Sequence, residues 1–169
     1  GSILGRFGNR KPPSAAYATL SPVFFYSDQE DMFIGGNFWD GRATGEKLGN
    51  PAADQAQGPF LNPLEQALAT PSDVVLRICN GDYSLLFIDE WGSGACNPAN
   101  VNMAYDAVAL SIAAYEASTE VNAFSSKYDA LKKGQAKLTR QEKRGRSLFK
   151  GRAKCSRCHP ISGKAPLFT

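Results

Sequence analysis

Three residues near the end of the chain have the types and the spacing that covalent attachment of a haem requires. Cys155, Cys158 and His159 form a C-x-x-C-H unit, and ten residues follow its histidine. Two cysteines at this spacing can form thioethers with the two vinyl groups of one haem, and the adjacent histidine can bind the iron as its proximal ligand. The unit therefore predicts covalent haem c, anchored by Cys155 and Cys158, with His159 as the metal ligand.

Two other kinds of site use closely spaced cysteines, namely zinc sites and redox-active dithiols. A zinc site needs four ligands, whereas the chain offers one histidine in total, with Cys79 and Cys96 far away along the sequence. A thioredoxin-like dithiol is expected in a βαβ context, which the sequence does not indicate. Haem attachment is therefore favoured over both alternatives.

Because His159 is the only histidine of the chain, no second histidine in it can complete the coordination of the iron. The candidates for a distal ligand are Met32, Met103, a tyrosine, or a group outside this chain. Met103 lies in a strongly periodic helical segment, where methionine usually packs in the core. Met32 lies in a predicted loop and is the better candidate.

The remaining cysteines, Cys79 and Cys96, form an even pair. In an oxidising compartment such a pair favours a disulfide, which here closes a loop of about 17 residues and contributes about 3 kcal/mol in the chain-entropy model. Two buried free thiols are the alternative.

The composition is that of a globular protein, with 169 residues of which 43% are hydrophobic and 21% are charged. The net charge of +3 is mild, but the basic residues concentrate in residues 132–154. For this run we favour a solvated helix face beside a redox centre over a nucleic-acid surface, and we expect no nucleic-acid partner. No apolar run approaches the roughly 18 residues of a membrane span.

Turn signals dominate the first third of the chain, and helical signals dominate the middle. Residues 1–63 predict ordered loops of the kind that carry function or cover a cofactor. Residues 63–70 predict a short helix, and a second helix is predicted to begin at a cap formed by Ser72. Residues 97–117 have apolar residues at three- and four-residue spacings, which predicts the longest helix.

The last predicted helix begins at Thr139, because Thr139 and Glu142 have the spacing of a capping box. Gly151 is its predicted C-terminal stop, shortly before the haem-attachment unit. No stretch alternates over the length of a strand. The predicted fold class is therefore all-α, with long ordered loops.

Four stretches of the sequence together resemble one known family. They are, in chain order, GNRKPPSAAYATLSPVF (8–24), NFWDGRA (37–43), DQAQGPFLNPLEQA (54–67) and LTRQEKRGRSLFKGRAKCSRCH (138–159). In these stretches the chain is similar to the bacterial di-haem cytochrome c peroxidases and their MauG-type relatives. The resemblance covers nearly the whole chain in the right order, and it implies cytochrome c-like haem domains.

The family has two haem domains, each with its own C-x-x-C-H unit. The resemblance implies that residues 1–135 belong to the N-terminal, peroxidatic domain with the inter-haem loops, and that residues 136–169 begin the C-terminal, electron-transferring domain. The first attachment unit is then expected before Gly1, and most of the second domain after His159. We therefore expect this chain to be the middle of a longer polypeptide that binds two haems. Companion chains are one possible source of the remainder.

The resemblance also assigns roles to individual residues. Trp39 would lie between the two haems and pass electrons from the second iron to the first. Gln55 and Glu65 would lie on the distal side of the peroxidatic haem, where Glu65 moves a proton between the peroxide oxygens. Asp40 and Arg42 would hold the loop, and the positive charge of Arg42 would neutralise haem propionates. Without the resemblance, Trp39 would be interpreted as a core aromatic, Gln55 as a solvated loop amide and Glu65 as a helix-start carboxylate.

Two departures from the family pattern bear on cofactors and activity. The family often has Arg-Asn where this chain has Arg10 and Lys11, and that asparagine helps to bind a calcium ion between the domains. Lys11 therefore argues against calcium here. Residues 44–53 form an insertion between Arg42 and Gln55 that also occurs in some relatives not proven to be peroxidases.

The resemblance implies a periplasmic enzyme that reduces hydrogen peroxide to water with electrons from a small donor cytochrome or copper protein. A non-enzymatic electron-transfer cytochrome is one alternative. A MauG-type oxidase acting on a protein substrate is another, with a tyrosine as the distal ligand of the second haem. A homodimer remains open.

Overall fold

The computed structural model describes residues 4–5, 7–8, 10–157, 159 and 161. Cys158 therefore lies outside the described residues. The chain forms two compact units, residues 1–121 and residues 122–169, which we call the first unit and the second unit. We describe each unit by itself.

The first unit is built mainly from four helices: α1 (Pro51–Leu61), α2 (Pro71–Cys79), α3 (Ser84–Trp91) and α4 (Val101–Ala117). The core has two clusters. One joins α2, α3 and α4 through larger side chains, among them Val74, Val75, Phe87, Tyr105 and Val108. The other joins α1 to α4, and its fully buried residues are alanines: Ala52, Ala53, Ala56, Ala109 and Ala113. Small side chains allow the backbones of α1 and α4 to approach closely, and this fixes the position of α1.

Helix α1 lies at the end of residues 1–63, a region that the sequence predicts to be dominated by loops. Its N-cap is Asn50, whose side chain accepts a hydrogen bond from the backbone N–H of Ala52 at 2.9 Å, and Pro51 occupies the first helical position. Gly58 and Pro59 are both unfavourable inside a helix, yet both fall within α1. Burial of the alanine face against α4 outweighs the cost of these two residues.

Two other local expectations were wrong between α1 and α2. Residues 63–66 form turns and residues 67–70 carry no helix. Helix α2 is capped by Thr70, not by Ser72, in a capping box with Asp73. A cap must have extended backbone geometry, and Thr70 has it, whereas Ser72 is already inside the helix.

The predicted disulfide and the predicted longest helix are both confirmed. Cys79, at the end of α2, is bonded to Cys96, with their Cα atoms 5.7 Å apart. Helix α4 covers Val101–Ala117 after a short 3₁₀ turn at Pro98–Asn100.

A short antiparallel hairpin lies in the region expected to lack strands. Strands β1 (Phe25–Ser27) and β2 (Met32–Ile34) pair with Tyr26 opposite Phe33. Met32 therefore lies in a strand and not in a loop. Each strand has three residues, which is too short for alternation to be recognised in the sequence.

The second unit contains α5 (Lys127–Lys132) and α6 (Arg140–Lys150). The predicted capping box of α6 is confirmed, since Thr139 and Glu142 bond each other's backbone N–H groups, and Gly151 is the C-cap. The Lys127 Nζ lies 2.7 Å from a carboxylate oxygen of Glu142, which ties α5 to α6. Among the described helices of both units, none is long and apolar enough to cross a membrane.

Candidate functional site

The FWDGR segment, residues 38–42, forms a tight loop in the first unit. Asn37 and Ala43 exchange two backbone hydrogen bonds of 2.9 and 3.3 Å, which close the loop between them. Within it, the N–H of Gly41 donates to the carbonyl oxygen of Phe38 at 3.3 Å. The loop presents Trp39 with 70% of its surface exposed, so Trp39 is not a core residue of this unit.

Two glycines make this loop geometry accessible. Gly36 and Gly41 have φ angles of +72° and +70°, which side-chain-bearing residues rarely adopt. A Cβ on Gly36 would lie 2.5 Å from the carbonyl oxygen of Gly41, and a Cβ on Gly41 would lie 2.9 Å from the ring of Phe24. The loop therefore closes on itself and against Phe24 only because these two positions lack side chains.

A cavity of about 380 Å³ opens beside the loop. Three of the residues predicted to act in catalysis or cofactor binding lie on its wall, namely Trp39, Arg42 and Glu65. Arg10 and Lys11 reach the wall from the segment that precedes the hairpin, and Asn62 reaches it from the end of α1. Phe38 of the FWDGR loop also lines the cavity. The cavity thus combines aromatic faces, three cationic side chains and one carboxylate.

The two arginines of the cavity each cover an aromatic ring. The guanidinium carbon of Arg10 lies 4.2 Å from the ring centre of Trp39, and that of Arg42 lies 3.8 Å from the ring centre of Phe38. Arg42 also forms an ion pair of 2.9 Å with Asp40. Burial acts to raise the pKa of Asp40, but the hydrogen bonds and the charge of Arg42 outweigh it and hold that pKa below its ordinary value.

Glu65 is positioned by a turn attached to the end of α1. The side-chain amide of Asn62 donates to Glu65 Oε2 at 2.7 Å, while its oxygen accepts from the N–H of Leu64 at 3.0 Å. Two backbone bonds, from Gln66 to Pro59 and from Leu68 to Phe60, hold the turn against the helix. The sequence analysis missed Asn62, although an Asn-Pro pair is a typical turn signal.

Gln55 occupies a different position from Glu65. It is half-buried in α1 and is not among the residues that line the cavity. Gly58 follows it by three residues, on the same helix face, and a Cβ on Gly58 would lie 3.3 Å from the ring of Phe38. Gln55 is thus one helical turn away from the point where α1 meets the FWDGR loop.

The insertion between Arg42 and Gln55 is held by charged side chains. The carboxylate of Asp54 accepts from the backbone N–H groups of Gly45 and Leu48 at 2.8 and 3.0 Å. Lys47 Nζ donates to Asp106 in α4 at 2.8 Å, and the Gln57 amide donates to the same oxygen at 2.7 Å. These bonds fix the insertion to α1 and α4.

Asp106 is the charged centre of that network. Burial acts to raise its pKa, but the hydrogen bonds of Lys47 and Gln57, with the charge of Lys47, outweigh it and lower the pKa. Asp106 therefore remains a carboxylate that fixes the insertion.

Cys155, the first residue of the haem-attachment unit, begins a short helical turn in the second unit. Cys155–Arg157 form a 3₁₀ turn, and the backbone N–H of His159 donates to the carbonyl oxygen of Cys155 at 3.0 Å. Cys155 is a free thiol, whereas Cys79 and Cys96 are consumed by their disulfide. The donor set and the turn therefore fit thioether attachment, with an imidazole available to the iron.

An apolar groove of about 250 Å³ lies in the same unit. It is lined by Tyr128, Gly145, Arg146, Phe149 and Ile161. Ile161 follows His159 by two residues in the sequence. Its apolar lining suits a flat hydrophobic group.

The described residues contain no group of three or more histidine, cysteine, aspartate or glutamate side chains that could hold a metal ion. Lys11 lines the cavity beside Arg10. That Lys11 disfavours a calcium ion at this position stays a prediction.

Comparisons with known proteins identify the family. The family model described as di-haem cytochrome c peroxidase matches residues 1–137. The chain therefore belongs to the di-haem cytochrome c peroxidase family, a class of haem-dependent oxidoreductases, and the predicted resemblance is confirmed.

Individual relatives agree with the family assignment. The methylamine utilization protein MauG of Paracoccus denitrificans is 36% identical over 143 residues, which cover 84% of this chain and 35% of that protein. The diheme peroxidase BthA of Burkholderia thailandensis superposes with a TM-score of 0.82 at 29% identity, covering 98% of this chain and 38% of BthA. A tyrosine-to-methionine variant of BthA gives a TM-score of 0.79 at 30% identity, with 96% and 38% covered. The predicted all-α fold class is thereby confirmed, and the chain spans just over a third of the length of these relatives.

Proposed function

We propose that this chain is part of a periplasmic c-type enzyme that uses two haems to reduce hydrogen peroxide to water. The overall reaction consumes two electrons and two protons for each peroxide. The observation that carries the proposal is the cavity of the first unit, at which Glu65 meets Trp39 and Arg42 although it is distant from both in sequence. These are the residue types needed for proton transfer, electron transfer and neutralisation of carboxylates.

Glu65 is the proton-transfer residue in this proposal. As a carboxylate it takes the proton from one peroxide oxygen and returns it to the other, so that water leaves as the O–O bond breaks. The hydrogen bond from Asn62 holds one carboxylate oxygen of Glu65 and leaves the other for the substrate. Gln55 is proposed to donate a hydrogen bond to bound peroxide from its turn of α1.

Trp39 and the arginines act around the proton-transfer residue. The exposed indole of Trp39 is flat, polarisable and oxidisable, which suits a relay of electrons toward the peroxide site. Arg42 is proposed to pair with haem propionates, because its guanidinium can bind a carboxylate through two hydrogen bonds. In the second unit, Cys155, Cys158 and His159 would hold a haem c. Its iron would supply a centre that can gain or lose one electron.

The electron donor is proposed to be a small cytochrome or copper protein with an acidic surface. Residues 122–169 contain thirteen lysine and arginine residues and two acidic residues, a formal charge of +11, whereas residues 1–121 have a formal charge of −8. The unit that carries the haem-attachment turn is therefore the strongly basic one. Such a field attracts acidic partners and raises the rate of encounter at low salt.

A second candidate function is oxidation of a protein substrate, as suggested by the 36% identity to methylamine utilization protein MauG. The exposed Trp39 is compatible with it, since oxidation of a remote substrate also requires an electron relay. A non-enzymatic electron-transfer cytochrome is less favoured, because electron transfer alone does not need the hydrogen-bonded Glu65 carboxylate at the cavity.

The test uses the full-length polypeptide loaded with haem. Glu65→Gln should lower peroxide turnover by roughly 10² to 10⁴, the range for a positioned acid–base group. Glu90→Gln, on the exposed part of α3, is the matched control and should leave turnover unchanged. Pyridine haemochrome spectra should show a c-type haem in both variants. Undiminished turnover in Glu65→Gln would return Glu65 to a structural role, and a haem that acid–acetone extracts would refute attachment through Cys155 and Cys158.

A further inference from the structure

The hairpin carries a tyrosine whose hydroxyl is paired with a carboxylate at the surface. The O–H of Tyr26 in β1 donates a hydrogen bond to Oδ1 of Asp31, which directly precedes β2. Tyr26 has 47% of its surface exposed. The hydrogen bond to Asp31, with a smaller contribution from burial, raises the pKa of Tyr26 above its ordinary value. The phenol is therefore protonated, and its proton is directed at a base.

A line of aromatic rings leads from Tyr26 to the FWDGR loop. The ring centres of Tyr26 and Phe33 are 5.2 Å apart in an edge-to-face arrangement. Phe33 is stacked on Phe24 at 5.2 Å, with an interplanar angle of 3°. The far edge of Phe24 abuts Gly41, where an added Cβ would lie 2.9 Å from the ring.

The line continues through the loop itself. The N–H of Gly41 donates to the carbonyl oxygen of Phe38, the residue covalently joined to Trp39. Tyr26 and Trp39 are thus connected by three close contacts and a short stretch of backbone. Electron transfer between aromatic side chains requires such a chain of close contacts, because its rate falls steeply with every gap.

We infer that Tyr26 and Asp31 form a surface redox site at which the protein takes a hydrogen atom from a phenolic substrate, with the Phe33–Phe24 stack connecting this site to Trp39. When Trp39 has lost one electron, Tyr26 gives it an electron and passes its proton to Asp31. The products are neutral Trp39, a neutral Tyr26 phenoxyl and a protonated Asp31, so charge and protons balance. A phenol then donates a hydrogen atom to Tyr26, which restores its O–H and leaves a phenoxyl product, while Asp31 returns its proton to water.

The surroundings favour this direction of transfer. The guanidinium of Arg10 over the Trp39 ring disfavours a positive charge on that ring, so an oxidised Trp39 is readily reduced. Phe33 has 64% of its surface exposed and offers an aromatic face on which a phenol ring can pack. A charged or aliphatic reductant gains nothing from that face.

A second exposed tyrosine provides an internal comparison. The O–H of Tyr115 donates to Glu120 at 3.1 Å, so Tyr115 also has a carboxylate partner, and 55% of its surface is exposed. Within the described part of the chain, however, Tyr115 takes part in no aromatic ring pair, whereas Tyr26 does. Tyr115 therefore has a proton acceptor, but it lacks the aromatic contacts that link Tyr26 to the FWDGR loop.

The inference rests on the proposed function in one respect only, namely that the haem enzyme is what oxidises Trp39. The test therefore oxidises Trp39 photochemically instead. The 169-residue chain with Trp91→Phe retains Trp39 as its single tryptophan. A tris(bipyridine)ruthenium(III) complex generated by a laser flash oxidises Trp39, and transient absorption follows the tryptophan radical and the tyrosine radical separately. We expect the tryptophan radical to decay as a tyrosine radical rises.

Four further variants and one probe decide the outcome. Tyr26→Phe should abolish the coupled rise, whereas Tyr115→Phe should leave it unchanged. Asp31→Asn should slow it by roughly 10², the lower end for loss of a positioned proton acceptor, since water can replace Asp31 at the surface. Phe33→Leu should slow it severalfold without altering the hydrogen bond of Tyr26. Added 4-methylphenol should shorten the lifetime of the Tyr26 radical.

The inference is overturned if the coupled rise persists in Tyr26→Phe, or if Phe33→Leu and Asp31→Asn both transfer at the parental rate. A phenol that leaves the radical lifetime unchanged overturns the assignment of the substrate class. Failure of the peroxidase proposal would appear elsewhere, as haem-loaded protein without peroxide turnover, and would leave the photochemical result intact.

Discussion

The guanidinium carbon of Arg10 lies 4.2 Å from the centre of the Trp39 ring, over the face of an indole whose surface is 70% exposed. A cation in this position is attracted by the neutral ring. It is repelled once the ring loses an electron and becomes positive. The pair therefore both orients Trp39 at the cavity and sets how readily Trp39 can be oxidised.

Replacing Arg10 by glutamine should make Trp39 easier to oxidise. An exposed cation–π contact is worth about 0.5–1 kcal/mol, so the oxidation potential should fall by roughly a few tens of millivolts. Voltammetry of the Trp91→Phe background measures Trp39 alone. Arg77→Gln, which removes a charge from α2, is the control. An unchanged potential in Arg10→Gln would mean that the contact does not persist in solution.

Replacing Trp39 by phenylalanine should slow electron transfer between the two haems of the full-length protein. Phenylalanine is much harder to oxidise than tryptophan and lacks the indole N–H. In the 169-residue chain, where 70% of the Trp39 surface is exposed, the free energy of unfolding should change by about 0.5 kcal/mol or less. Stopped-flow spectra of the half-reduced enzyme should show delayed oxidation of the second haem after peroxide is added.

The matched control for this experiment is Trp91→Phe. The indole of Trp91 donates to Ser111 Oγ at 2.9 Å, away from the FWDGR loop, so transfer should continue at the parental rate. If Trp39→Phe also transfers at the parental rate, the electron path does not run through Trp39.

Acid should weaken the capping box of α6. The hydrogen bond from Lys127, followed by those from Thr139, lowers the pKa of Glu142 from 4.5 to about 2. A carboxylate with a depressed pKa stabilises the folded state fully above its unfolded value and loses that contribution as the pH falls toward the folded value. The stability difference between the parent and Glu142→Gln should therefore shrink between pH 4.5 and about pH 2.

Thermal unfolding followed by circular dichroism measures this difference at each pH. Glu30→Gln, in the exposed segment between the hairpin strands, is the control and should show no comparable trend. A gap between parent and Glu142→Gln that stays constant down to pH 2 would contradict the assignment of the stabilisation to the charged carboxylate.

Removing the disulfide should destabilise the first unit. The bond closes a sequence separation of 17 residues, for which the chain-entropy model gives about 3 kcal/mol. Urea unfolding of the Cys79→Ala, Cys96→Ala double variant should show a loss of this size relative to the parent. Equal urea midpoints of unfolding for the parent and the double variant would contradict this stabilisation. Reaction of Cys79 and Cys96 with a thiol reagent in the native parent would contradict the disulfide itself.

The sequence alone determined those features that depend on a few neighbouring residues. The capping box needs only Thr139 and Glu142 three residues apart, so the start of α6 was predicted correctly. The C-x-x-C-H unit is equally local, because the porphyrin dictates the spacing of Cys155, Cys158 and His159. The family motifs are read residue by residue for the same reason.

Only the tertiary structure decided which distant residues meet. Helix α1 was missed because its stability comes from alanines packed against α4, which outweigh the local signals of Gly58 and Pro59. Arg10 reaches Trp39 only because the chain returns past the FWDGR loop. Glu65 lines the same cavity as Trp39 only because the turn after α1 lies beside the FWDGR loop. Such contacts depend on packing between segments that are far apart in the chain, and no local pattern records them.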